Sequence, residues 1–226
     1  MMKKVGLTAV GILAITGGNV VVQATTEFPD AGKAESSVRV LIEDDGEVII
    51  PPVDPGDPEP PIDPGNPNLE PGLLDILYVS PLDFGTVVIN GEEQVIAAAD
   101  DVDTAGQSFS PMVTIQDRRA DAQRQGWTLT VRYEDDFLDG AEIKMNPYIH
   151  SGNQEDFGID PGGEIALSTN ATIFAEAGQV PYARHTVSMG MAQPDQAVQL
   201  VIPGEDYASG EYTTTIVWEL TDGPLG

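Results

Sequence analysis

The groups able to do chemistry are unevenly stocked in this chain. It holds 37 acidic residues but only two histidines, His150 and His185, and no cysteine. There is no HExxH zinc motif, no GxSxG nucleophile elbow and no glycine-rich phosphate loop. Carboxylates crowd together at Asp100-Asp101-x-Asp103 and at Glu134-Asp135-Asp136. Such neighbours arise by chance in so acidic a chain, and adjacent strand positions point to opposite faces. A glycosidase needs two carboxyls about 5 to 9.5 Å apart in one cleft, which spacing along a sequence does not supply. The Asp100–Asp103 run lacks the glycine and the distal glutamate of an EF-hand calcium loop. Asn170-Ala171-Thr172 is a glycosylation sequon only in a host that glycosylates. No catalytic residue, no metal ligand and no cofactor site is therefore expected.

The remaining chemistry is aromatic. The chain has two tryptophans, Trp127 and Trp218, and each is followed two positions on by a leucine, Leu129 and Leu220. Trp127 to Tyr133 alternates apolar with polar residues, as does Tyr212 to Leu220, which is the period of a half-buried strand. On one strand Trp127, Leu129, Val131 and Tyr133 share a face; on the other Tyr212, Ile216, Trp218 and Leu220 do. A tryptophan there is first of all a core residue, burying roughly 150–250 Å². Its ring also stacks well on the C–H faces of sugars, and tryptophan is enriched where protein partners dock. Trp127, Leu129, Trp218 and Leu220 are thus the candidate contacts with a glycan or partner, with core packing the alternative. Asp117 and Arg119, just ahead of Trp127, are placed to form an ion pair that holds the loop, or a ligand clamp. The two indoles, though distant along the chain, are expected to lie beside one another.

The elements that must position these residues read as strands and turns. Asp75–Val79, Thr86–Ile89, Met112–Ile115, Ala141–Met145, Glu164–Ser168, Ala171–Phe174, His185–Met189 and Ala197–Ile202 are expected strands, besides the two that carry tryptophan. Asn90-Gly91 is a strong turn dipeptide. Glu92–Ala99 is a possible short helix without a good cap, and Gln116–Gln125 a charged loop. About ten short strands at regular spacing argue for an all-β domain, an antiparallel sandwich or barrel. With no cysteine available, such a domain is held by core packing alone.

The N-terminal part reads differently. Lys3 and Lys4 followed by the apolar run Val5–Thr16 and by Val22-Gln23-Ala24 make residues 1–24 an export signal, cleaved before Thr25. The apolar run is too short and too glycine-interrupted for a membrane span, and no later stretch approaches the ~20 residues that spanning takes. Residues 25–36 form a polar, frayed tail, and the main domain covers 37–226. At its start Ser37–Ile42 and Glu47–Ile50 are expected to pair around Asp45-Gly46. Residues 51–71 form a Pro/Asp-rich connector, which reads as solvated, extended and polyproline-like, able to reach about 60 Å. The end of the chain carries no LPxTG-type sorting signal, so covalent wall anchoring is not expected.

Charge narrows the partners. The formal net charge is −27, and removal of Lys3 and Lys4 with the leader takes away two positive charges and leaves −29. Nucleic acid and anionic phospholipid are recognised by lysine and arginine, so neither is an expected partner. The acidity serves solubility, or it serves a cation-bridged attachment to an anionic wall.

The paired Trp127-Thr128-Leu129 and Trp218-Glu219-Leu220 resemble the proximal and distal motifs of the WxL domain, a family of exported Gram-positive surface proteins. Leu82-Asp83-Phe84-Gly85, the run Val113-Thr114-Ile115-Gln116-Asp117-x-Arg119 and Ser209-Gly210-x-Tyr212 extend the resemblance over roughly Val38 to Pro224. It implies non-covalent attachment to the cell wall through peptidoglycan, and a secreted, wall-associated location. It also implies membrane-anchored partner proteins and other WxL proteins as companions, and for some members host matrix proteins. On that alternative, wall retention is indirect.

Overall fold

The computed structural model describes residues 52–56, 61–69, 71–135, 137–151, 158–178, 186–204 and 207–223, with the backbone of two further strands at 26–30 and 33–36. The expected export signal and the expected pairing of 37–42 with 47–50 lie outside these residues. The chain divides into two compact units, Met1–Val48 and Ile49–Gly226. In the first, β1 (Thr26–Asp30) and β2 (Lys33–Ser36) pair antiparallel, so the stretch read as a frayed tail carries a hairpin.

Among its described residues the second unit has thirteen strands: β3 (Leu74–Val79), β4 (Gln94–Ala97), β5 (Asp101–Val102), β6 (Ser108–Phe109), β7 (Met112–Asp117), β8 (Trp127–Tyr133), β9 (Glu142–Met145), β10 (Ile159–Pro161), β11 (Ile165–Ala166), β12 (Thr172–Ala177), β13 (Thr186–Gly190), β14 (Gln199–Ile202) and β15 (Ile216–Asp222). All pairings are antiparallel. They give four-stranded sheets β10-β12-β8-β15 and β11-β9-β14-β4, a three-stranded sheet β13-β7-β3, and the hairpin β5-β6. The result is a sandwich-like all-β fold, with no closed barrel among the described residues. Its main core joins Trp127, Leu129 and Val131 of β8 to Phe174 of β12, Val113 and Ile115 of β7 and Met189 of β13. Every residue of β7 is buried. A strand covered on both faces cannot show clean alternation, which is why its polar positions, Thr114 and Gln116, are as enclosed as its apolar ones.

Three sequence expectations are corrected. Residues 94–97 form β4 rather than a helix, because β14 offers a complete antiparallel ladder from Gln199↔Ala97 to Ile202↔Gln94. Long-range pairing outweighs the weak helical preference of an uncapped Glu-Gln-Ala stretch. Thr86–Ile89 forms no strand. The Asn90-Gly91 turn is present, with Gly91 at φ +77° and the Asn90 side chain accepting from the Glu92 N–H at 3.0 Å. The last strand begins at Ile216 instead of Tyr212, and Tyr212 is exposed with its hydroxyl donating to the Ala208 carbonyl at 2.9 Å. That local bond closes a loop and takes Tyr212 off the shared face.

The proline-rich connector also differs from an outstretched spacer. Its described parts double back, with Val53 bridged to Pro61 and the Ile62 N–H donating to the Pro52 carbonyl at 2.7 Å. Pro52 and Pro55 are buried, and Ile62 packs on the small cluster of Tyr78, Phe109 and Met112. The Val53 N–H donates to Ser188 Oγ at 3.0 Å, and Ser188 Oγ lies 2.8 Å from Thr114 Oγ1. These hydroxyls sit on the face of β13 and β7 opposite the main core, since Ser188 pairs with Thr114. Buried hydroxyls need partners, and the connector supplies an amide to them.

Candidate functional site

β8 lies between β12 and β15, and the register with β15 brings the two Trp-x-Leu motifs together. Leu129 is opposite Leu220, Trp127 is opposite Asp222, and Trp218 is opposite Val131. The leucines therefore meet, while the two indoles flank them on the same face. Four residues of strand, about 13 Å, separate the tryptophans. The expected side-by-side placement is thus met in strand and face but not in register. Trp127 is 2% exposed and Leu129 fully enclosed, whereas Trp218 and Leu220 are half-buried on the outer strand. Phe174 joins the sides: its ring meets Trp218 edge-on, centroids 4.9 Å apart, while the adjoining residues Ala175 and Ala177 pair with Leu129 and Trp127.

Entry into β8 is fixed by Gly126, at φ +85°, where an added Cβ would stand 2.1 Å from the Ala177 carbonyl oxygen. No side chain fits between that turn and β12. An ion-pair network holds the same turn. The Arg119 guanidinium grips Asp117 side-on, Nε to Oδ1 at 2.8 Å and Nη2 to Oδ2 at 2.7 Å, and Nη2 also donates to the Gly126 carbonyl at 3.0 Å. Its third arm, Nη1, reaches Asp222 at the end of β15. The Arg119 N–H donates to Asp117 Oδ1 at 3.1 Å, and Arg124 Nε stands 3.9 Å from the same oxygen. The Asp117 hydrogen bonds, aided by Asp222, push the guanidinium further up than its usual range against the opposing effect of burial. Arg119 therefore stays charged in its buried setting. One arginine thus ties the end of β7, the turn before Trp127 and the strand that carries Trp218. The geometry is that of a clasp within the fold, with every guanidinium nitrogen engaged by this chain's own oxygens.

The sheet around the motifs is steadied by further polar contacts. The Tyr133 hydroxyl accepts the Ile143 N–H at 3.1 Å, and burial pushes that phenol up. Thr128 donates toward Glu176 and the Gly223 carbonyl, each at 3.2 Å, and Thr221 donates to the Thr128 carbonyl at 3.3 Å. Sequence reasoning missed Asp222, whose place opposite Trp127 emerges only from the register, and Phe174, which gave no signal beyond a short strand. Of the acids weighed for calcium, Asp101 accepts from the Tyr78 hydroxyl, and Asp103 Oδ1 accepts the Gln107 N–H at 2.7 Å in the β5–β6 turn. Among the described residues no three His, Cys, Asp or Glu side chains gather as a metal site would require, and no helix is long and apolar enough to cross a membrane.

No curated protein and no solved structure matches the chain. A protein-family model does: residues 29–224 fit the WxL domain, described as a surface cell wall-binding domain. Both of its name-giving motifs are present and stand paired on adjacent strands, and the chain belongs to the WxL domain family.

Proposed function

We propose that this chain is a non-catalytic surface protein of a Gram-positive bacterium, exported by residues 1–24 and retained on the cell wall non-covalently through peptidoglycan. Residues 37–226, the connector at 51–71 included, make up the wall-binding domain. The observation that carries this reading is the family match across 29–224, with both Trp-x-Leu motifs on one sheet. Within it the motif residues divide the work. Trp127 and Leu129 hold the sheet from inside, and Asp117 and Arg119 fix its entry. Trp218 and Leu220, half-buried on the outer strand, are the motif side chains available to a glycan. An acidic surface meets an anionic polymer at a cost unless cations lie between, so divalent cations strengthen retention.

The test is sedimentation of the purified protein with protein-free peptidoglycan, with and without a chelator. Retention supports direct binding, and its loss on chelation assigns the acidic surface a part. Complete loss into the wash in both conditions refutes direct binding and leaves retention through a protein partner. Trp218→Ala belongs in the same assay, read beside a melting curve. A folded variant that no longer sediments places this indole at the contact.

A further inference from the structure

β15 is the outermost strand of its sheet, and among the described residues no backbone group bonds to its outer edge, although β3 approaches the strand. At the ends of the β8–β15 ladder the Glu134 N–H donates to the Thr215 carbonyl at 2.9 Å and the Gly223 N–H donates to the Gly126 carbonyl at 3.1 Å. In an antiparallel pair such bonds recur at every second residue. Val217, Glu219 and Thr221 therefore turn their backbone groups toward β8. Ile216, Trp218, Leu220 and Asp222 turn theirs outward. Both edges of the three-stranded sheet are partly covered. On β3 the Leu77 carbonyl accepts the Asn68 N–H at 2.7 Å, and on β13 Gly190 exchanges both backbone bonds with Tyr148. β15 lacks several of the usual protections of an edge: its seven residues include no proline and no lysine, its pairing with β8 runs without a bulge, and its charges are the two carboxylates Glu219 and Asp222.

Two features say what fits there. On the core side Ile216, Trp218 and Leu220 are only half-buried, so an added strand with apolar residues would complete their cover. On the opposite side Glu219 is exposed, Glu134 and Asp135 just past the end of β8 are exposed as well, and no basic residue lies on β15 itself. The Arg132 guanidinium, opposite Val217, donates to its neighbouring Tyr133 carbonyl at 3.0 Å, and Arg119 is committed to Asp117 and Asp222. A second copy of a chain carrying −27 is a poor occupant, because like charges would face one another across the new ladder.

We propose that the β15 edge is a strand-addition site for an extended segment of another protein, five to seven residues long by about the length of β15, that alternates apolar with basic residues. Its backbone would bond to Ile216, Trp218, Leu220 and Asp222, its apolar side would cover the distal Trp-x-Leu, and its Lys or Arg would face Glu219. This assignment does not depend on direct wall binding.

The probe is a capped seven-residue peptide alternating valine and lysine, titrated onto the full chain by fluorescence anisotropy, with amide exchange read at Ile216, Trp218, Leu220 and Asp222. Binding with slowed exchange at those amides is expected. N-methylating one alternate set of peptide residues should weaken binding more than tenfold, and methylating the other set should leave it within about twofold, because only one set of N–H groups faces β15. Glu219→Lys, at an exposed position, should keep the melting temperature and weaken the peptide severalfold. The proposal is overturned by absence of binding, by binding without amide protection, by equal sensitivity to both methylation patterns, or by self-association of the chain that protects the same amides.

Discussion

Loss of the Asp117 carboxylate should be among the most damaging single changes in this domain. The Asp117 side chain is 5% exposed and that of Arg119 9%, and Arg124 lies against the same carboxylate with its side chain 3% exposed. Asp117→Ala therefore leaves two enclosed guanidinium groups without their shared counter-charge. Breaking a buried pair from one side costs about 3–5 kcal/mol. Asp222 gives a built-in comparison. It bonds the same arginine, but its side chain is 62% exposed, so water replaces it readily and Asp222→Ala should cost about 1 kcal/mol or less. Arg119→Met should fall between, since it removes the charge with its partner's need for it and Arg124 remains beside Asp117. Urea unfolding followed by tryptophan fluorescence measures all three. Joining Asp117→Ala with Arg119→Met should recover part of the loss, as one of the two guanidinium charges that shared Asp117 is then gone. The clasp reading is refuted if Asp117→Ala costs less than about 1 kcal/mol, or if Asp222→Ala costs as much as Asp117→Ala.

Other perturbations separate the elements of the site. Trp127→Ala should destabilise by about 3–5 kcal/mol and Trp218→Ala by roughly half as much, both read from denaturation midpoints, because only the first indole is fully enclosed. Gly126→Ala should cost at least about 2 kcal/mol from its left-handed backbone, with the clash against the Ala177 carbonyl in addition. Burial raises the phenols of Tyr78 and Tyr133, so the folded state holds those protons more tightly than the unfolded chain. Their contribution is complete below the ordinary tyrosine value of about 10 and is lost as pH rises beyond it. Alkaline melts should show stability falling from about pH 10 upward, with two tyrosines ionising only as the fold is lost. Val53→Pro removes the amide that Ser188 accepts and should destabilise by about 1–2 kcal/mol, detected as a lower melting temperature; no change would return the connector to the role of a free spacer.

The legible part of this protein was the part written in period-2 alternation. β8 reads directly from Trp127 to Tyr133 because one of its faces is continuously apolar, and the paired Trp-x-Leu pointed to the family and thereby to β15 as its neighbour. What alternation cannot encode is register. The meeting of Leu129 with Leu220, the spacing of the indoles and the placement of Asp222 beside Arg119 all follow from one offset between strands ninety residues apart. Burial on two faces hid a second group of facts. Thr114, Gln116 and Ser188 look like solvent-facing positions in sequence, yet all three are enclosed.

The connector shows why composition misled. Proline forbids donation to a ladder, and from that prohibition the stretch reads as solvated. The prohibition concerns the N–H alone; a proline ring remains apolar, and its carbonyl still accepts. Pro52 is buried and accepts the Ile62 N–H, while Val53, the neighbour that keeps its own N–H, spends it on Ser188. Between prolines the remaining amides are few, so each must be matched by a specific acceptor rather than by a strand. A proline-rich segment in a domain whose outer sheet face carries buried hydroxyls is therefore better suited to covering that face than a regular strand would be, because it brings apolar rings with few donors left to satisfy.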